Sequence, residues 1–461
     1  MQEPINTGST EAEVPGVFDL GTWINCFLPS LIGILIFLTP LNYQGETTIP
    51  LGLMSNLLRD GIGGYMGAVT TFFFVTGALL TLIFNLGPKP VKQSFPALFQ
   101  LFQTTPVWLI LRLMGGIFAV MTFLQLGPEW IIGKNTGVTA YVDVAGIIFC
   151  IIGLGCLLLP FLTDFGFLEF VGTLFRKFFH RIFNLPGRAT IDTLASWVGS
   201  SSIAILVTAR QYETGFYSAR EAAVITTNFS VVSVPFVVLT AQVAGISDLF
   251  IELYGSMILI GVICALVTPR MPPLSHFKDV YYEPVGCQIR EEVTQGRSQL
   301  SWALEQALTR ASRAPGPIAV LKGGLRSAAD IFLTMMPAAM TFEFIALVTY
   351  HHTPILQVMT LPLVPLLELL QIPEAAAASP GVIIGLMDQF VPAIIAGTID
   401  NKITSFVLAG LSVTQLIFFA ETVVLILRSK IPITVPQLLA IFCIRTAIAL
   451  PILAVLAHYL V

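Results

Sequence analysis

The sequence predicts an all-α, polytopic membrane protein, and three observations carry that expectation. The chain is 55% hydrophobic, with a mean hydropathy of +0.84. Only 11% of its residues are charged, against roughly 25% in a soluble protein. Apolar runs of about 18 residues or more recur along it, long enough to cross a bilayer core as helices. The formal net charge of −4 gives no reason to expect a nucleic-acid partner. The surrounding to expect is lipid.

Nine segments read as full spans: 24–41, 65–86, 104–127, 139–163, 219–243, 248–268, 328–349, 404–427 and 435–459. The tail before the first span has no basic stretch ahead of an apolar one, so no cleavable signal peptide is expected. Two further apolar segments, 189–208 and 378–398, are interrupted by small, polar or proline residues. They read as re-entrant hairpins. The one long polar loop, 269–327, contains Leu300, Leu304, Ala307, Leu308 and Ala311 at helical spacing. That loop helix is expected to lie on the membrane or on the protein, not to form a separate domain. Of the cysteines, Cys26, Cys150, Cys156, Cys264 and Cys443 lie in apolar segments and Cys287 in the loop. None has zinc-ligand spacing, so they read as buried structural thiols, with no metal and no cofactor.

Lys and Arg set the orientation. With the N-terminus inside and both leftover segments re-entrant, nearly all of them face the cytoplasm, Arg210, Arg220 and Arg428 included. Only Arg59, Lys134 and Lys402 fall outside, while Arg112 and Arg445 are intramembrane. The expected location is a bacterial inner membrane.

The two broken segments share a context. One follows an amphipathic helix ending at Leu185-Pro186, the other a similar stretch ending at Ile372-Pro373. This divides the chain into a tail with three spans (1–138), a first unit (139–268), a cytoplasmic loop (269–327) and a second unit (328–461). Three spans separate the first span of one unit from that of the other, so the units are expected to be inverted. Inverted repeats around broken helices are a transporter architecture with a midplane site.

A re-entrant segment must break its helix at the tip, where backbone groups lose their partners with little water nearby. In "SWVGSSSIAIL", Gly199 permits the turn, and Ser200, Ser201 and Ser202 can satisfy the freed groups or meet a solute. The plainer reading is close helix packing by small residues. Pro392 is the expected breaker, and so the tip, of the second hairpin. Asn228, Ser230, Ser233 and Pro235 interrupt the fifth span, and Ser412, Thr414 and Gln415 occupy the equivalent place in the eighth. They are candidate solute contacts or inter-helix hydrogen bonds.

The stretches "TIPLGLM", "WVGSSSIAILVTARQYETGFYSAREAAVITTNFSVVSV", "PRMPPLS" and "LSVTQLIFFAE", with "SKIPI" beyond, resemble the YjiH family of bacterial membrane proteins. That family carries nucleoside-recognition, or Gate, domains, found also in concentrative nucleoside transporters, a ferrous-iron transporter and spore maturation proteins. The resemblance covers the chain from about residue 24 and is most specific over 192–234 and 408–433. It implies hairpins entering from both sides around a central site. It implies no substrate, because the Gln, Asn and Glu pattern of nucleoside transporters does not map residue by residue. No GxxxxGK[ST] for a GTPase occurs.

Ionisable residues inside spans are functional hypotheses by default. Glu421, Arg445 and Glu343 are the ion-coupling candidates, with Glu421 and Arg445 also a candidate pair. Asp192 and Asp388 come next, and Arg112 reads as a snorkelling side chain. The expected function is secondary transport of a small polar solute coupled to H⁺ or Na⁺, with a nucleoside-like molecule as the candidate the resemblance offers. The alternative is a non-transporting assembly or signalling partner on the same scaffold. A homo-oligomer or second membrane subunit fits either. A serine hydrolase needs a base within reach. His180, His276, His351, His352 and His458 all fall near interfaces or in loops, so no enzyme is expected.

Overall fold

A computed structural model describes residues 18–43, 46–198, 201–283, 285–287 and 298–461. Helix α1 (Leu20–Leu38) starts where the Asp19 carboxylate accepts the Thr22 backbone N–H at 3.1 Å. A two-stranded ribbon, β1 (Leu41–Tyr43) and β2 (Glu46–Thr48), leads to α2 (Pro50–Ile62) and α3 (Met66–Leu86). Short helices α4 (Lys89–Ser94) and α5 (Pro96–Phe102) precede α6 (Pro106–Phe123). Then come α7 (Glu129–Ile132), a wide π-helical stretch over Lys134–Val144, α8 (Ala145–Leu158), α9 (Pro160–Thr163) and the amphipathic α10 (Phe167–Phe183).

The next elements are shorter: α11 (Ala189–Val198), α12 (Ser201–Glu213), α13 (Ala219–Asn228), α14 (Val234–Val243), then the long α15 (Phe250–Val267). Beyond the polar loop lie α16 (Gln299–Ser312), α17 (Pro317–Asp330) and α18 (Met336–His352). The chain closes with α19 (Ile355–Thr360), α20 (Val364–Leu369), α21 (Ala375–Ile384), α22 (Val391–Ala396), α23 (Lys402–Thr414), α24 (Thr422–Arg428) and α25 (Val435–Leu460). Sequence chemistry sets several starts. Ser218 with Glu221 and Thr434 with Gln437 form capping boxes, and proline opens α6, α14, α17, α22 and α25.

Seven helical stretches among the described residues are long and apolar enough to cross a membrane. They include Pro50–Leu86 and Pro317–His352, each longer than the span expected there. The protein is a multi-pass membrane protein with an apolar outer face that carries Phe27, Leu31, Phe72, Leu79, Ile110 and Ile117. The count of continuous spans differs from the sequence expectation of nine. Segments 219–243 and 404–427 are not single helices: each is interrupted, between α13 and α14 and between α23 and α24. The physical reasons are local. Pro235 has no N–H to continue a helix, and Leu416 sits at φ +61°, the left-handed conformation that ends one.

Two glycines let helices approach backbone to backbone. A Cβ on Gly77 of α3 would lie 2.1 Å from Leu333 O, and one on Gly115 of α6 the same distance from Pro337 O. Small residues at crossings are how membrane helices gain packing without a hydrophobic drive between them. The loop helix α16 lies on the protein, against α1 and α10, burying Ala303, Ala307, Leu308 and Ala311. Arg310 ties it down, 2.8 Å from Asp164 and 3.5 Å from Glu169. Cys443 and Cys287 are exposed, a correction to the reading of all six cysteines as buried. Cys443 belongs to an apolar helix whose outer side faces lipid.

Candidate functional site

Two helical hairpins and two interrupted helices build the centre. Helices α11 and α12 fold back on each other, as do α21 and α22. The packing between the two halves of the chain is reciprocal. Helix α12 of the first hairpin lies on α24, the second piece of the later interrupted helix. Helix α22 of the second hairpin lies on α14, the second piece of the earlier one.

Each interruption frees backbone groups that a membrane interior penalises, and the chain supplies partners for them. In the later one, Phe419 N–H donates to Leu386 O at 2.8 Å and Ala420 N–H to Met387 O at 3.0 Å, both at the tip of the second hairpin. Thr422 Oγ1 accepts the Phe418 N–H at 2.9 Å. Ser412 donates its hydroxyl to Gln389 O. In the earlier one, Ser196 of the first hairpin donates to Val231 O at 2.7 Å. The second hairpin breaks over residues 385–390, not around Pro392, which instead opens α22. Its turn is tight: a Cβ on Gly385 would meet Gln415 Oε1 at 2.2 Å.

Arg445, 1% exposed, joins both interruptions. Its Nε donates to Thr414 O at 3.1 Å and Gln415 O at 3.0 Å, and NH2 to Thr414 O at 2.6 Å. NH1 donates to Asn228 Oδ1 at 2.9 Å and Thr227 O at 3.3 Å. One guanidinium thus caps the C-terminal ends of α13 and α23, where the carbonyls carry partial negative charge. Arg445 pairs with these carbonyls and not with Glu421, which corrects the expected ion pair. Asn228 also accepts the Thr268 hydroxyl at 2.6 Å, so it belongs to this knot.

A cavity of about 210 Å³ lies beside the second hairpin tip. One wall comes from α6 and the end of α24: Trp108, Arg112 and Arg428, with the Arg428 guanidinium 5.6 Å above the Trp108 ring. The hairpin tip and the later interruption also line it, through Asp388, Gln389, Phe390, Phe418 and Glu421. Ser201 at the start of α12 donates to Glu421 Oε1 at 3.0 Å. This bond links the first hairpin to the interrupted helix of the other half.

Other sequence candidates divide as follows. Glu343, fully buried on α18, has no hydrogen-bond partner for either carboxylate oxygen among the described residues, and Asp388 lies within its electrostatic reach. Ser230 Oγ, Gln389 Oε1 and Gln415 Oε1 are likewise buried without partners. The Gln415 amide nitrogen donates to Val382 O at 2.8 Å and Thr446 Oγ1 at 3.0 Å. The Thr414 hydroxyl bonds back to Gly410 O within its own helix, and Ser233 stands at the N-cap of α14. Asp192 accepts the Tyr217 hydroxyl at 2.6 Å, away from the cavity. Gly199 and Ser200 lie outside the described residues, as does the side chain of Ser202. The sequence reading missed Trp108, Gln389 and Phe390, and took Arg112 for a snorkelling residue. Trp108 and Arg112, four apart on one helix face, were the available signal.

A family described as nucleoside recognition (Gate) matches residues 145–247, from α8 to the end of α14. Among solved structures, CNTnw in an inward-facing substrate-bound state aligns over 95% of this chain and 96% of its own, at 12% identity and a TM-score of 0.37. A likeness that low adds nothing to the fold described above. An uncharacterized protein of Alkalihalophilus pseudofirmus is 39% identical over 431 residues, covering 94% of this chain and 93% of that one. With that identity along nearly the whole of both chains, this protein belongs to the same family as the Alkalihalophilus pseudofirmus protein.

Proposed function

We propose that this protein is a secondary transporter that moves a small polar solute through the cavity beside its second hairpin, coupled to H⁺ or Na⁺. The observation that carries the reading is the Ser201–Glu421 hydrogen bond at the edge of that cavity. It sets a hairpin of one half against the interrupted helix of the other, beside two acidic side chains. Alternating access needs such a contact between two bodies that move past each other. The matched nucleoside-recognition segment makes a nucleoside-like solute the first to try. Glu421 and the buried Glu343, without a hydrogen-bond partner among the described residues, are the coupling candidates.

The same reading takes 139–268 and 328–461 as inverted units, supported by their matching succession of elements and reciprocal packing. It places the N-terminus and Arg428 in the cytoplasm of a bacterial inner membrane, and membership of the YjiH family belongs to it. The test is uptake by proteoliposomes under imposed pH or Na⁺ gradients, with nucleosides and other small polar solutes supplied. Gradient-driven uptake that Glu421→Gln abolishes while the protein stays folded is the expected result. If no solute moves under either gradient, the protein is an assembly or signalling partner instead.

A further inference from the structure

Two amphipathic helices, α10 and α17, emerge at the same end of the membrane-spanning stretches. Helices α8 and α17 run antiparallel. A Cβ on Gly324 would lie 2.7 Å from Cys156 O, while Phe332, just beyond α17, meets Phe149 with ring centroids 4.6 Å apart. The start of α17 and the end of α8, which leads through α9 into α10, therefore share one face of the membrane. The helical stretch Pro317–His352 has 36 residues and is about 54 Å long, too long for a hydrocarbon core of about 30 Å. Lys322 and Arg326 mark the end that reaches past it.

Both helices expose the same chemistry. Helix α10 buries Leu168, Gly172 and Thr173 and exposes Leu174, Phe178, Lys177 and Arg181. Helix α17 buries Gly324 and Ala328 and exposes Leu321, Leu325, Lys322 and Arg326. In each, the two cations stand four residues apart, close enough on one helix face to straddle a single phosphate. The acids of these helices are engaged elsewhere. Glu169 lies 3.5 Å from Arg310, and Asp330 accepts the Thr334 hydroxyl at 2.8 Å. Among the described residues, none of the four cations has an ion pair within 4 Å. Large apolar side chains interleaved with uncompensated cations suit a helix lying in the interface of an anionic bilayer. We infer that α10 and α17 form a binding surface for anionic phospholipid headgroups. Lys177 with Arg181, and Lys322 with Arg326, each hold a phosphate, while the leucines and Phe178 enter the acyl boundary. A Cβ on Gly172 would lie 2.7 Å from Ile191 Cγ1 of α11, so lipid held on α10 anchors the base of the first hairpin. The inference stands apart from the transport reading, because its test is lipid binding.

Purified full-length protein in a neutral detergent is titrated with phosphatidylglycerol and, separately, with phosphatidylcholine, and bound lipid is counted by native mass spectrometry. Phosphatidylglycerol should bind at least tenfold more tightly, and the gap should shrink as salt rises from about 50 to about 500 mM. Lys177→Gln with Arg181→Gln, and Lys322→Gln with Arg326→Gln, should each weaken phosphatidylglycerol at one helix, by about fivefold per cation lost. Lys134→Gln, at the opposite end of the Glu129–Thr163 stretch, should change nothing. The inference is overturned if phosphatidylcholine binds as tightly as phosphatidylglycerol or if salt leaves the preference intact. It is also overturned if the four substitutions together leave the preference intact, or if Lys134→Gln weakens it as much as they do. The lipid and salt comparisons use the native protein, so they decide even if a variant fails to fold.

Discussion

Replacing Arg445 with methionine keeps an unbranched side chain and removes every donor. Asn228 Oδ1 retains the Thr268 hydroxyl at 2.6 Å, so the carbonyls of Thr227, Thr414 and Gln415 are what the change strands. A buried acceptor left unsatisfied costs roughly 1–3 kcal/mol, so these carbonyls together cost about 3–9 kcal/mol. Whole-protein stability is typically ~5–15 kcal/mol. At about 1 °C per kcal/mol for a chain of this length, Arg445→Met should lower the melting temperature of the purified protein by roughly 3–9 °C, or abolish a monodisperse peak. Arg445→Lys, with a charge but no planar fork, should fall between. Adding Glu421→Gln to Arg445→Met separates this account from an ion pair. If Glu421 were the partner, neutralising it would relieve an uncompensated charge and restore stability. The capping geometry expects no rescue. Recovery of most of the lost stability in the double variant, or an Arg445→Met protein melting within about 2 °C of the native one, refutes the reasoning.

Other outcomes follow from the same contacts. Ser201→Ala should tighten solute binding by roughly tenfold, since the solute no longer displaces a hydrogen bond to a charged group worth about 1.5–3 kcal/mol. Stability should barely change, because Glu421 lines a cavity where water can replace the hydroxyl; a lowered melting temperature with unchanged affinity would instead assign Ser201 to holding the turn. Gly115→Leu should destabilise strongly, because its Cβ alone would lie 2.1 Å from Pro337 O, whereas Gly155→Ala, with nothing within 4 Å, should not; equal melting temperatures would contradict the close crossing. Single cysteines at 210 and 428 should label from the cytoplasmic side, and at 134 and 402 from outside; outside labelling at 210 sinks the re-entrant reading of 189–208. In hydrogen exchange, the residues 201–206 should lose protection when solute is added or removed, while 225–228 and 411–415 stay protected; the reverse order would move the hinge to the Arg445 knot.

Much of the fold was legible because lipid enforces simple rules. Long apolar runs mark α1, α3, α6, α8, α15, α18 and α25, and the Gly-Ser and proline interruptions mark the hairpins. The loop helix α16 was legible from Leu304, Ala307, Leu308 and Ala311. The interruptions in 219–243 and 404–427 were visible as polar residues and a proline, but the segments were still counted as full spans. Hydropathy averages over a window and cannot see a single left-handed residue such as Leu416, which is a leucine where glycine is usual. Partner choice was the least legible. Glu421 and Arg445 lie on neighbouring segments at similar depth, which suggested a pair. Only the three-dimensional arrangement shows that Arg445 is consumed by carbonyls, four of its five hydrogen bonds going to backbone. The cavity wall from α6 was hidden because Trp108 and Arg112 lie outside the repeated units.

The site joins two kinds of tie of very different strength, and this bears on which parts can move. At the Arg445 knot, five hydrogen bonds from one charge hold the ends of α13 and α23 together. No conformational cycle of a few kcal/mol can open it. Between the first hairpin and α24, the Ser201–Glu421 bond lies at the edge of a cavity where water can compete. A bond of about 1.5–3 kcal/mol is the scale a solute can replace with its own contacts. The second hairpin is intermediate, bound to its own interrupted helix by the backbone bonds of Phe419 and Ala420. A motion that preserves the stronger ties therefore keeps the interrupted helices and the second hairpin as one body. It swings the first hairpin away from Glu421. The carboxylate that this motion uncovers lines the cavity where the solute would sit, so solute contact and hairpin release act on one side chain. Coupling of the two needs no longer pathway than that.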